Sequence, residues 1–171
     1  AGRDCPANRE DDREFIAATR AIMSEKMDAA PKAGTDFHDI IEQYMMGNPV
    51  DPEFHRHCVN VEKVLLEKCG SQVWKMEKGI YSPLGYAGRV DLMSNHWVVD
   101  YKTKQFAKQW KPGKMAYTDH ARQLAAYDRG EPLAYPRRCA NIFICLETGE
   151  VDFIEHTDKA LSDAWLDFKA A

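Results

Sequence analysis

Two acids and a lysine interrupt an otherwise apolar stretch near the middle of this 171-residue sequence. They stand in Gly88-Arg89-Val90-Asp91-Leu92-Met93 and in Trp97-Val98-Val99-Asp100-Tyr101-Lys102. Side chains on a strand alternate between faces, so Asp100 and Lys102 point one way and Val99 and Tyr101 the other. With a two-residue turn at Ser94-Asn95, Asp91 stands opposite Val98 and shares a face with Asp100 as its diagonal neighbour. A three-residue loop without a bulge would turn Asp91 to the wrong face. Carboxylates placed diagonally, about 7–8 Å apart at Cα, can converge on one cation through bonds of about 2 Å. Such an ion polarises a phosphodiester and lowers the pKa of a bound water, while a nearby lysine steadies the water and the developing charge. The competing reading is an ion pair, Asp100–Lys102 or Asp91–Lys102, on a solvated strand face. Buried charge without a partner is costly, so acids inside an apolar strand need either that partner or a metal.

A second feature follows directly. From Lys102 to Lys114 there are five lysines (Lys102, Lys104, Lys108, Lys111, Lys114) and no acid, with Phe106, Trp110 and then Tyr117 interleaved. Cations suit phosphates and flat rings suit bases, as a single nucleic-acid strand requires. A solvated lysine loop with its aromatics tucked inward is the plainer alternative. The formal net charge of −4 speaks mildly against a nucleic-acid partner, but placement of charge outweighs its sum.

The elements that must position these residues can be read from periodicity and stop signals. A helix is expected over residues 9–29, ended by Pro31. Thr35 is expected to cap a second helix reaching about Met46, with Gly47 after it. A third runs from about Glu53 to Lys68, burying Val61, Val64 and Leu65 and stopping at Gly70. Strands are expected over residues 72–82, Tyr86–Met93 and Trp97–Thr103. A helix over Thr118–Arg129, closed by Gly130 and Pro132, precedes a hairpin of Arg138–Leu146 and Glu150–His156 about Thr148-Gly149. A final amphipathic helix, Asp158–Lys169, carries Leu161, Trp165 and Phe168. This order implies one α/β (α+β) domain, a mixed sheet of about five strands flanked by helices. Residues 1–33 form its N-terminal helical segment, 34–156 its core and 157–171 its last helix.

Composition sets the outer limits. Hydrophobic residues make up 44% and charged residues 29%, ordinary for one soluble globular domain. No apolar run approaches the ~20 residues that span a bilayer, so no membrane partner is expected. No signal-type apolar region opens the sequence, although a start at Ala1 rather than Met leaves a removed leader open. The cysteines (Cys5, Cys58, Cys69, Cys139, Cys145) are odd in number and scattered, which suits an intracellular, reducing compartment. No C-x-x-C pair supports a zinc site or an iron–sulfur cluster. There is no phosphate-binding G-x-x-x-x-G-K-[ST] loop, no G-x-S-x-G elbow and no H-E-x-x-H helix.

In Gly88-x-x-Asp91 followed by Val98-Val99-Asp100-Tyr101-Lys102-Thr103 the sequence resembles the PD-(D/E)XK nuclease superfamily, and within it the RecB-like exonucleases. Two further matches lie in order around these: Gly34-Thr35-Asp36-Phe37-His38 upstream and Gln123-Leu124-Ala125-Ala126-Tyr127 downstream. The resemblance covers roughly residues 34–127, and the compact phage and mitochondrial exonucleases are the nearer likeness. It implies a restriction-endonuclease-like fold and a metal-dependent deoxyribonuclease acting on single strands or duplex ends. It also implies His38, Asp91, Asp100 and the Tyr101 carbonyl as ligands of Mg²⁺ or Mn²⁺, and Asp91, Asp100 and Lys102 as the catalytic set. Lys104, Lys108, Trp110, Lys111, Lys114, Tyr117, Gln123 and Tyr127 are then the residues expected along the DNA. Glu42, one turn from His38, and Glu77, on the first strand, stand as accessory acids. His55, His57, His96, His120 and His156 have no ligand spacing and are read as surface or structural. A catalytically silent nucleic-acid-binding module on the same fold, a structure-specific endonuclease, or a structural ion-pair strand in an unrelated protein are the alternatives. Exo or endo mode and strand polarity are not legible.

Overall fold

The computed structural model describes residues 32–131 and 136–170, with side chains from Phe37 onward. The helix expected over residues 9–29 lies outside them. A five-stranded sheet of order β1-β2-β3-β4-β5 occupies the centre, formed by β1 (Lys75–Tyr81), β2 (Ala87–Met93), β3 (Trp97–Lys104), β4 (Arg138–Cys145) and β5 (Val151–His156). Helices α1 (Lys32–Met45) and α2 (Pro52–Cys69) cover one face, and α3 (Thr118–Gly130) and α4 (Asp158–Ala170) the other. The expected mixed α+β architecture is therefore present. All neighbouring strands are antiparallel except β3 and β4, which run parallel. A parallel pair cannot be joined by a tight turn, and residues 105–137 supply the crossover that carries α3.

Local chemistry sets the boundaries. Asp51 accepts a hydrogen bond from the Glu53 N–H at 2.9 Å, Pro52 occupies the first turn, and Gly70 takes φ 70° to end α2. Thr35 does not cap α1, because that helix already begins at Lys32. Lys32 and Ala33 are good helix formers, and their propensity carries the helix past the cap signal.

The apolar residues sort into two layers. Phe37, Ile41, Cys58, Val61 and Leu65 pack on Leu92, Val99, Tyr101, Ala140, Ile142 and Ile144 beneath α1 and α2. On the other face Ile80, Val90, Met93, Val98 and Cys139 pack on Leu124. Val64, expected in the core, is half-buried.

The β2–β3 turn corrects the register read from sequence. Met93 pairs with Val98 and Leu92 with Val99, so the two-residue turn is Asn95-His96 and not Ser94-Asn95. The Ser94 hydroxyl accepts from the backbone N–H groups of both His96 and Trp97, at 3.1 Å each, which draws the turn one residue onward. Continuing that register sets Asp91 across from Asp100 in place of Val98. The loop length stays even, but the pairing moves by one step along each strand.

The ladder between β2 and β3 then stops. Val90 packs with Met93 against the α3 face while Leu92 belongs to the opposite layer, so strict alternation breaks at Asp91. Across β1, Glu77 takes a left-handed φ of 47°, and it is the one non-glycine residue to do so among those described. The sheet parts at this place, and the acids gather there.

Candidate metal centre and active site

Asp91 fills the gap its strand leaves. Its Oδ2 accepts the Tyr101 backbone N–H at 2.6 Å, taking the place of a main-chain acceptor, and its Oδ1 lies 3.6 Å from His38 Nδ1 on α1. Ligand atoms of His38, Glu77 and Asp91 all lie within 4.8 Å of one another, the one such group of metal-binding type among the described residues. These three side chains line a cavity of about 10 Å³ with Glu42, Met45, Met76, Leu92 and Tyr101, close to the room one water-sized particle occupies. The accessory acids of the sequence reading thus split in role. Glu77 joins the cluster, and Glu42 borders its cavity.

Electrostatics mark this pocket as short of positive charge. Burial first, and then the neighbouring Asp100 carboxylate, push the Asp91 carboxyl well above the usual range. Burial raises Glu77 as well, against the pull of the Arg89 guanidinium, whose Nε lies 2.6 Å from Glu77 Oε2. Burial lowers the His38 imidazole, favouring the neutral ring that ligates metals. One neutral nitrogen and two carboxylates suit a divalent cation such as Mn²⁺ or Mg²⁺, and its charge would favour the ionised acids. The residues present fit the ion.

Asp100 lies outside the close group of three. It is 3% exposed, and its Oδ2 receives both Lys102 Nζ at 2.7 Å and Asn141 Nδ2 at 2.9 Å. Lys102 also donates to Gln123 Oε1 on α3 at 2.9 Å, and Gln123 Nε2 donates to the Tyr127 hydroxyl at 2.8 Å. Gln123 and Tyr127, spaced one turn apart, therefore tie the lysine to the helix as their spacing suggests. Burial and the Asp100 charge hold the Tyr127 phenol well above its ordinary range. Asp100 has its cation in Lys102, and Asp91 sits in the donor cluster.

The lysine-rich segment follows β3 directly in the chain. Phe106, Lys108, Lys111, Lys114 and Tyr117 are exposed, while Lys104 and Trp110 are half-buried. Lys108 Nζ lies 5.2 Å from the Phe106 ring centre and Lys104 Nζ 5.9 Å from that of Phe143. Two acids of the distant hairpin, absent from the segment itself, pin its backbone. Glu147 accepts from the Ala107 N–H at 2.6 Å, and Asp152 from the Gly113 N–H at 2.7 Å. The acid-free run thus keeps its lysine heads outward.

Sequence reasoning passed over Asn141, a lone amide in an apolar strand, and set aside His156, whose ring nitrogen Nε2 lies 2.8 Å from Asn141 Oδ1. His120 lies on the same face, its ring 5.6 Å from that of Phe143. Its imidazole is lowered by burial and then by the Lys102 charge. Only the parallel register, Asp100 beside Asn141, brings Asn141 into the site.

Neither the family models nor the curated proteins give a match to the sequence. Solved structures do. The "Putative exonuclease" of Eubacterium rectale superposes with a TM-score of 0.50 at 11% identity, over 99% of this chain and 66% of that one. The alkaline exonuclease of Laribacter hongkongensis gives a TM-score of 0.42 at 12% identity, over 83% and 79% of the two chains. The chain spans just under two thirds of the Eubacterium rectale protein's length. The likeness is one of fold: the sheet and helices described above are arranged as in the Eubacterium rectale protein.

Proposed function

We propose that this protein is a divalent-metal-dependent deoxyribonuclease of the PD-(D/E)XK type, an exonuclease that hydrolyses phosphodiesters on single strands or at duplex ends. The carrying observation is the meeting of the His38–Glu77–Asp91 cluster with the Asp100–Lys102 pair where β2 and β3 part. The fold shared with the Eubacterium rectale protein supports the same reading.

His38, Glu77 and Asp91 would hold the ion, with Asp100 and the Tyr101 carbonyl completing its oxygen set. When bound, a divalent ion supplies Lewis acidity toward a phosphodiester oxygen and lowers the pKa of water. The chain's own residues do the rest. An ammonium has three donors, and Lys102 commits two of them, to Asp100 and Gln123. The third faces the attacking water or the charge that grows on the phosphoryl oxygens. Lys104, Lys108, Lys111 and Lys114 draw the backbone of the strand, and Trp110 and Tyr117 offer faces for its bases.

The test uses 5′- and 3′-labelled single- and double-stranded DNA with Mn²⁺ or Mg²⁺. Wild-type protein should shorten a labelled end, and EDTA should stop it. Asp100→Asn and Lys102→Gln should each lower cleavage by at least about 100-fold with the circular-dichroism spectrum unchanged. An Asp100→Asn protein cutting at the parental rate would sink the assignment.

A further inference from the structure

Buried polar groups outside the proposed ligands converge on one carboxylate oxygen. Asn141 is fully buried in β4, flanked there by Ala140 and Ile142. Its parallel register partner is Asp100, and on the other side Cys139 pairs with His156 of β5. Alternation therefore sets Asp100, Asn141 and His156 on the α3 face, Asp100 directly beside Asn141 and His156 diagonal to it across from Cys139.

The direction of each hydrogen bond follows from which group can donate. The Asp100 carboxylate, already facing the Lys102 ammonium, accepts, so the Asn141 amide nitrogen points to it. Asn141 Oδ1 then faces His156, and the Nε2 of His156 must carry the hydrogen. The order is His156 to Asn141 to Asp100, with Lys102 arriving at the same Oδ2 from the other side. Two donors on one oxygen fix the carboxylate's rotation and leave Oδ1 for a cation or a substrate.

We propose that Asn141 and His156 are positioning residues, a relay across β3, β4 and β5 that orients the Asp100 carboxylate and through it the Lys102 ammonium. Their role in turnover rests on the nuclease reading above, but the orientation itself does not. A buried asparagine that served packing alone would be replaceable by leucine of similar volume without effect on Lys102. A relay predicts otherwise. Cutting it at Asn141 leaves Asp100 with the lysine alone. Cutting it at His156 leaves Asn141 Oδ1 buried and unpaired.

The experiment compares wild type with Asn141→Leu, His156→Leu and His156→Gln, the last keeping an N–H donor. Two readouts are taken: kcat and KM on a labelled oligonucleotide with Mn²⁺, and the slowly exchanging ¹⁵Nζ signal of Lys102, assigned by its loss in Lys102→Gln. Outer residues of this kind change activity by about 10–100-fold. Asn141→Leu and His156→Leu should fall by that factor in kcat, with KM within about 2-fold, and should lose the ammonium signal. His156→Gln should recover both. If Asn141→Leu fails to fold, the two His156 variants decide alone. Retention of kcat and the Lys102 signal in His156→Leu, or no recovery in His156→Gln, overturns the relay. A wild type that cuts nothing defeats the nuclease reading, and the ammonium signal still decides the positioning.

Discussion

Glu77 holds a backbone angle that few side chains adopt, with φ at 47°. Left-handed conformations in non-glycine residues cost on the order of 1–3 kcal/mol and persist where the surroundings impose them. Here the imposed geometry brings a carboxylate to His38 and Asp91. Glu77→Gln should therefore weaken Mn²⁺ binding by at least about 10-fold, read by isothermal titration. Affinity equal to wild type would remove Glu77 from the ligand set. Asp91, Asp100 and Lys102 stood out through their spacing within one strand pair, whereas His38, Gln123 and Tyr127 were singled out only by the family resemblance. Glu77 was legible as an acid on the right strand but not as a close neighbour of Asp91, since no residue type there announces a left-handed turn of the chain. Asn141 showed only as a lone amide in an apolar strand, with nothing to name its partner. Its partner lies 41 residues away, and only the sheet order brings them together.

The strand β2 reaches its break under a constraint from α3. A Cβ placed on Gly88 would stand 2.5 Å from Tyr127 Cε1, so glycine there lets the helix and its Gln123–Tyr127 pair close on the sheet. Gly88→Ala should cost about 1–3 kcal/mol in urea unfolding and lower cleavage, and pairing it with Tyr127→Leu should return much of the stability. No loss of stability would mean that α3 is not held at this distance. The lysine segment acts as a second element. Lys108→Gln with Lys111→Gln should weaken single-stranded DNA binding and flatten its log–log salt slope by about 1.4. A slope equal to the parent's would take both lysines off the strand path. Most element boundaries agreed with the sequence to within one to three residues, because Gly70, Gly130 and the Thr148-Gly149 turn are strong punctuation. The β2–β3 turn lies one residue beyond the Ser94-Asn95 signal. The Ser94 hydroxyl draws it there.

At the scale of the whole molecule the sheet separates two apolar layers, which take in Cys58, Cys69 and Cys139, and Cys145 is buried as well. Cys58, Cys69, Cys139 and Cys145 are free thiols with almost no surface. Burial pushes Cys58 and Cys69 up to about 11 and Cys139 further. In a Cys5→Ser protein at pH 8, Ellman's reagent should leave these thiols untouched until denaturant is added. A fast native reaction would contradict their burial. The sign for stability follows from the raised values. Between the ordinary thiol range, about 8.5, and about 11 the folded chain binds more protons than the unfolded one. Stability contributed below that window is lost as pH rises through it. Among the described residues no helix is long and apolar enough to cross a membrane. The Arg137 side chain, bound to Asp128, to the Ser94 carbonyl and to that of Glu131, ties the β2–β3 turn to the end of α3.

The parallel pairing of β3 with β4 has a consequence in time. A growing chain emerges from the ribosome with Asp91, Asp100 and Lys102 complete while residues 105–137 are still to be added. Contacts of such long sequence separation close late. Gln123 arrives first, then Asn141, and His156 after both, so the carboxylate and the ammonium gain their final setting only once β5 has been made. A nascent polypeptide that lacks β4 and β5 would carry Asp100 and Lys102 without the strands that aim them.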